Sequence, residues 1–299
     1  MPVFPNFSRR PSSRIVPLVF LFLGLSVLII FLYALHSSSS KPVIQTNDAL
    51  WHDTILCHAM GAINTDTYTN SLEAFESSYA AGFRTFEVDL LMTSDNEVVL
   101  MHDWNKRMQP DLEKGYIPTL AEFRAAPILG KYTPLSFKDL LTIAKEHPDI
   151  YIVTDSKYTE KEAVKKEFTQ MIKDAEETDS LDVLNRFVVQ LYNEEMYDCI
   201  QQIYPFDQYI FTLYQRWEGD DLEELEKICQ WSIDAQVPSI TMWSNFISDP
   251  VRKTVQKYGL QLYGHTVDDP EEAAKLLKHN VGIYTNVITP DEARRLTGK

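Results

Sequence analysis

From Thr54 onward, short apolar segments and longer amphipathic ones alternate with little interruption, and that alternation limits the folds open to this chain. Strand-like runs cover Thr54–His58, Arg84–Leu91, Glu97–Met101, Ile150–Thr154, Arg186–Gln190, Tyr209–Leu213, Ser239–Met242, Leu260–Gly264 and Gly282–Thr285. Helix-like runs fall between most of them: Asn70–Ala81, Ser136–Glu146, Thr159–Glu177, Glu194–Ile203, Leu222–Trp231, Pro250–Tyr258, Asp269–His279 and a last one from Pro290. Punctuation supports these boundaries. Gly82 ends the first helix, Ser136 with Asp139 opens the second, and Asp-Pro-Glu-Glu at 269–272 suits a positive helix N-terminus. Repeated βα units over about 250 residues predict an α/β fold, a closed parallel TIM (β/α)8 barrel, rather than a doubly wound sheet. Neither GxGxxG nor GxxxxGK[ST] occurs, so no nucleotide-phosphate loop is expected.

Within that scaffold the most informative stretch runs from Phe83 to Trp104. Glu87 and Asp89 lie two apart on one strand, so both carboxylates share a face. Paired hard oxygen ligands suit Ca²⁺ or Mg²⁺. Apolar Phe86, Val88, Leu90 and Leu91 flank them, so a solvated edge strand is the weaker alternative, and buried carboxylates need partners. His58 and His102 each follow an apolar run, which puts an imidazole at a strand end, and Asp155 closes another strand. Barrel enzymes carry their chemistry at the C-terminal ends of strands, where all five residues are expected. Two carboxylates flanked by two histidines suggest a metal-assisted phosphodiester site.

The formal net charge of −15, from 43 acidic and 28 basic residues, argues against a nucleic-acid partner. An acidic protein acting on an anionic phosphodiester needs local cations or a metal. Cys57, Cys199 and Cys229 form neither a disulfide framework nor a zinc motif and read as buried structural thiols. Ile15–Leu35 is a run of 21 residues without a charge, preceded by Arg9, Arg10 and Arg14 and followed by no basic residue until Lys41. That length and charge asymmetry predict a cytoplasmic tail at 1–14, a single uncleaved transmembrane helix at 15–35, a tether at 36–50 and an extracytoplasmic barrel at 51–299 on the cytoplasmic membrane.

His58-Ala-Met-Gly61, Asn70-Ser-Leu-Glu-Ala-Phe75, Phe86-Glu87-Val-Asp89, Thr93 to Asp103 and Thr154-Asp155-Ser-Lys157 together resemble the glycerophosphodiester phosphodiesterase family, within the group that includes phosphatidylinositol-specific phospholipases C. Gly264-His-Thr-Val-Asp268 and Val281-Gly-Ile-Tyr-Thr285 are a weaker echo. The resemblance spans about 240 residues and implies a TIM barrel with one divalent cation, Ca²⁺ or Mg²⁺, cleaving a phosphodiester between a glycerol-type moiety and an alcohol. By position it implies His58 and His102 as the acid–base pair, Glu87, Asp89 and Asp155 as metal ligands, and Lys157 steadying phosphate charge. Asn70, Tyr192, Trp243 and His265 are further substrate-binding candidates. The remaining histidines (His36, His52, His147, His279) read as surface.

Three positions depart from the family pattern. Ala59 stands where Arg usually follows the first His, Thr69 where Glu precedes the Asn, and Asp155 where Glu is common. Weaker metal affinity or a different substrate is expected. These departures are similar to the spider-type sphingomyelinase D and lysophospholipase D branch, where a carboxylate triad, two histidines and a Lys two residues after the third acid form cyclic phosphate products. A barrel turned surface-binding protein is the third reading, against which all five acids and histidines argue.

Overall fold

The computed structural model describes residues 54–298, apart from 107, 218 and 220. The expected tail, membrane helix and tether lie outside the described residues; among those described, no helix is long and apolar enough to cross a membrane.

Eight parallel strands close into a barrel. They are β1 (Ile55–Cys57), β2 (Thr85–Met92), β4 (Tyr151–Ser156), β5 (Phe187–Leu191), β6 (Gln208–Thr212), β7 (Ser239–Trp243), β8 (Gln261–His265) and β9 (Val281–Thr285). Each pairs with the next, and β1 pairs with both β2 and β9, which closes the sheet. The remaining strand, β3 (Val98–Leu100), lies outside this ring and runs antiparallel to β2. The helices are α1 (Leu72–Ala80), α2 (Leu120–Ala125), α3 (Phe137–Glu146), α4 (Lys161–Glu177), α5 (Glu194–Ile203), α6 (Leu222–Asp234), α7 (Asp249–Lys257), α8 (Pro270–Lys278) and α9 (Pro290–Thr297).

Alternation along each strand separates two buried layers. Phe86, Val88 and Leu90 on β2, Ile152 on β4 and Phe187, Val189 and Leu191 on β5 join the large core that contains the helices. The other parity forms a separate interior cluster of Leu56, Val153, Val188, Ile210, Tyr263 and Tyr284. Gly282 makes room for it, because a Cβ there would lie 2.3 Å from the Tyr263 ring. Glu87 and Asp89 take the interior parity of β2, in register with Val153 and Asp155 of β4.

Two local expectations need correction. Helix α1 begins at Leu72, with the Ser71 hydroxyl accepting from Ala74 N, so Asn70 precedes the helix with a left-handed φ of 46°. His102 does not follow a barrel strand: β3 returns antiparallel to β2, and Met101 N donates to Asp89 O at 3.0 Å, which brings His102 in from the side. The short α2, held by a Thr119–Glu122 capping box, was not expected, because six residues burying only Phe123 carry no readable period.

Candidate active site

Glu87, Asp89 and Asp155 each offer an oxygen, and these atoms lie within 4.8 Å of one another at the C-terminal rim of the barrel. All three side chains are buried. Each is oriented by a neighbour. Ala59 N donates to Glu87 Oε2 at 2.7 Å. The Asn70 amide donates to Asp89 Oδ2 at 2.7 Å and accepts from Asp89 N at 3.1 Å, so this residue engages an acid rather than facing outward. Gln190 Nε2 and the Tyr192 hydroxyl both donate to Asp155 Oδ1, at 2.9 and 2.7 Å. Lys157 is ion-paired with both Asp89 and Asp155. Asp89 Oδ1 is the oxygen that meets that ammonium.

Burial and the adjacent Asp89 carboxylate push Glu87 well above the usual carboxylate range. Burial would also raise Asp89, but Lys157 and the two histidines overcome it and hold Asp89 well below that range. Burial likewise opposes the charge on Lys157, yet Asp155 and Asp89 keep it protonated far above the ordinary lysine value. The cluster therefore concentrates more negative charge than one ammonium can match. A hard divalent cation fits these residues: three buried carboxylates with oxygens within 4.8 Å of one another supply the hard donors such an ion requires.

His58 Nε2 stands 3.9 Å from Glu87 Oε2, and its Nδ1 lies 2.9 Å from Asn286 Oδ1. The Asn286 amide donates through Nδ2 to Asp268 Oδ2 at 2.7 Å, which turns its oxygen toward the ring. A carbonyl oxygen can only accept, so the assigned tautomer of neutral His58 carries hydrogen on Nδ1 and a lone pair on Nε2, facing the acids. Burial lowers the proton affinity of His58, His102 and, more strongly, His265. His102 Nδ1 is buried without a partner among the described residues.

An arc of rings surrounds this centre. His265 packs edge-on against His58 at 4.6 Å between centroids, and Tyr214 lies 4.7 Å from Trp243 and 4.8 Å from His265. Trp243 is 40% exposed at the rim, while Tyr192 and His265 are buried. Tyr68 stands edge-on to both His58 and His102. His147, read as surface, instead packs on Phe75 and Tyr79. All three cysteines are buried free thiols, and burial pushes Cys57 up to about 12, so it is no nucleophile at neutral pH.

Sequence reasoning missed Tyr68, Asp268, Asn286 and Gln190 as parts of the site. Gln190 and Asn286 had a readable signal, since each is a polar residue at the end of an apolar strand. Tyr68 had none.

A closed parallel barrel with buried acids and two imidazoles converging on its C-terminal rim defines an enzyme of the barrel class. Residues 61–289 match the model of the glycerophosphoryl diester phosphodiesterase family, and the chain belongs to that family of phosphodiesterases. Solved structures with the same fold include an Oleispira antarctica phosphodiesterase in complex with its product sn-glycerol-3-phosphate, 13% identical over 82% of this chain and 96% of that one, with a TM-score of 0.64. Glycerophosphodiester phosphodiesterases from Parabacteroides distasonis (15%, 83% and 99%, TM-score 0.62) and Thermotoga maritima (19%, 83% and 98%, TM-score 0.56) are similar to it in the same way.

Proposed function

We propose that this chain is a divalent-cation-dependent phosphodiesterase that cleaves a glycerophosphodiester to glycerol phosphate and an alcohol. The observation carrying this reading is the convergence of three buried carboxylates, within 4.8 Å, beside two imidazoles. Glu87, Asp89 and Asp155 would hold Ca²⁺ or Mg²⁺, which when bound neutralises charge growing on the phosphoryl oxygens. His58 Nε2, with its lone pair set by Asn286, takes a proton from the attacking water, whose oxygen ends on the phosphate as the alcohol leaves. His102, which reaches the site from β3, gives a proton to the leaving oxygen. Asn70, Gln190 and Tyr192 keep Asp89 and Asp155 in place. Trp243 and His265 form the aromatic side of the mouth. The 15–35 segment anchors the barrel outside the cytoplasmic membrane, within reach of head groups or wall polymers.

One observation favours the cyclising reading as the second. Thr69 is buried and bonded to Ser71 Oγ, so this position adds no carboxylate and the acid set stays at three. The test is product release from glycerophosphocholine and lysophosphatidylcholine with calcium, magnesium or EDTA, and with His102→Ala in parallel. Turnover that needs metal and is lost in His102→Ala is expected. Glycerol phosphate as product supports the hydrolytic reading, and a cyclic phosphate supports the other. A folded protein that turns over neither substrate but binds calcium refutes both for these substrates.

A further inference from the structure

The cation nearest the acids is Lys157, which pairs with both Asp89 and Asp155. A protein of net charge −15 still has to receive an anionic phosphodiester at this mouth. Four residues after His102, Lys106 extends over the face of Tyr68, with its ammonium 4.6 Å from the ring centroid. That ring stands edge-on to His58, at 4.7 Å and 87°, and to His102, at 5.1 Å and 85°. Lys106 is therefore stationed one ring away from both imidazoles.

The arrangement is built. Tyr68 holds φ at 59°, in the left-handed region that a bulky aromatic rarely enters, and such strain concentrates where a side chain must be aimed. Asp103, the acid closest to Lys106 in sequence, is engaged by Asn105, its Oδ1 accepting from Asn105 N at 2.8 Å and from Asn105 Nδ2 at 3.2 Å. Gly115 N donates to Trp104 O at 2.9 Å and ties the far end of the loop back. Among the described residues, Lys106 forms no ion pair with a carboxylate. Its charge already reaches His102, whose proton affinity it helps to lower behind burial and Lys157.

We propose that Lys106, seated on the ring of Tyr68, is a further cation that grips the non-bridging oxygens of the substrate phosphate. This rests on the phosphodiesterase reading above. The ring fixes the height and direction of an otherwise exposed lysine, so the charge is in position before substrate arrives, and Tyr68 serves as the positioning residue for Lys106.

The test uses the full chain with Lys106→Gln, Lys106→Arg, Tyr68→Phe and Tyr68→Leu. It combines steady-state turnover of glycerophosphocholine with calorimetric binding of sn-glycerol 3-phosphate. Lys106→Gln is expected to raise KM about tenfold, to weaken sn-glycerol 3-phosphate binding in the same ratio, and to leave kcat within about threefold. It should also flatten the rise of KM with ionic strength. Lys106→Arg should recover most of the KM lost in Lys106→Gln, Tyr68→Phe should lose less than Tyr68→Leu, and Tyr68→Leu should follow Lys106→Gln. A Lys106→Gln variant with unchanged KM and unchanged binding, or one that loses only kcat, overturns the proposal. A wild type that turns over no glycerophosphodiester overturns the reading beneath it, and the binding isotherms then test Lys106 alone.

Discussion

Glu167, on α4, is fully buried, and its Oε2 accepts a hydrogen bond from Ser156, the residue between Asp155 and Lys157. Its other oxygen has no partner among the described residues. Burial pushes this carboxyl up to about 8 from 4.5. A folded-state value raised above the unfolded one gives stability that is complete below the unfolded value and is lost as pH rises through the folded one. Here the window runs from about 4.5 to about 8. Each pH unit inside it weakens the fold by about 1.4 kcal/mol per proton. Between pH 5 and pH 8 the loss assigned to Glu167 integrates to about 3–4 kcal/mol. Glu167→Gln keeps an oxygen for Ser156 and cannot ionise, so it removes this slope while leaving one amide hydrogen-bonding group unpaired, at about 1–3 kcal/mol. The variant should match or trail wild type at pH 5 and exceed it at pH 8. Urea unfolding of both proteins at the two pH values reads this directly. A stability difference between them that is the same at pH 5 and pH 8 refutes the reasoning, because Glu167 would then have no raised folded-state value.

Other expectations follow from single contacts. Asn286→Ala removes the acceptor that sets the His58 tautomer; kcat should fall about 10–100-fold with calcium binding unchanged, checked by turnover and metal titration. Gly282→Ala forces a Cβ into the Tyr263 ring; overpacking of about 1–3 kcal/mol should lower Tm by roughly 3–10 °C, measured by thermal unfolding. Glu87→Ala should abolish calcium binding at the acid cluster without unfolding the barrel, read by calorimetry and circular dichroism. Cys57, Cys199 and Cys229 should resist a thiol reagent in the native protein and react together once it is unfolded in urea.

Much of the barrel was legible because inward and outward residues alternate along each strand, and every helix but the short α2 carries a stripe wide enough to read. Glu87 and Asp89 were legible for the same reason: two acids in an apolar strand, on one parity, must meet something. Position failed where neighbours come from far along the chain. Nothing near Asn286 in sequence indicates that it faces His58, 228 residues away. Tyr68 and Lys106 sit in loops, where no period marks the direction of a side chain. His102 was found by its motif, but its route was not, since β3 reads like any barrel strand until its pairing with β2 is known.

The seam where β1 meets β9 joins the first described strand to the last. Asp268 and Asn286 stand beyond the ends of β8 and β9, and His58 directly after β1, so His58, the proposed base, acquires its tautomer only across the join that closes the ring. A chain still emerging from the ribosome holds all three clustered acids by Asp155, yet lacks an oriented His58 until its last strand has docked. On the proposed mechanism, activity is thereby a readout of completed closure, and a protein truncated before β9 would keep all three clustered acids and lose the partner that orients His58.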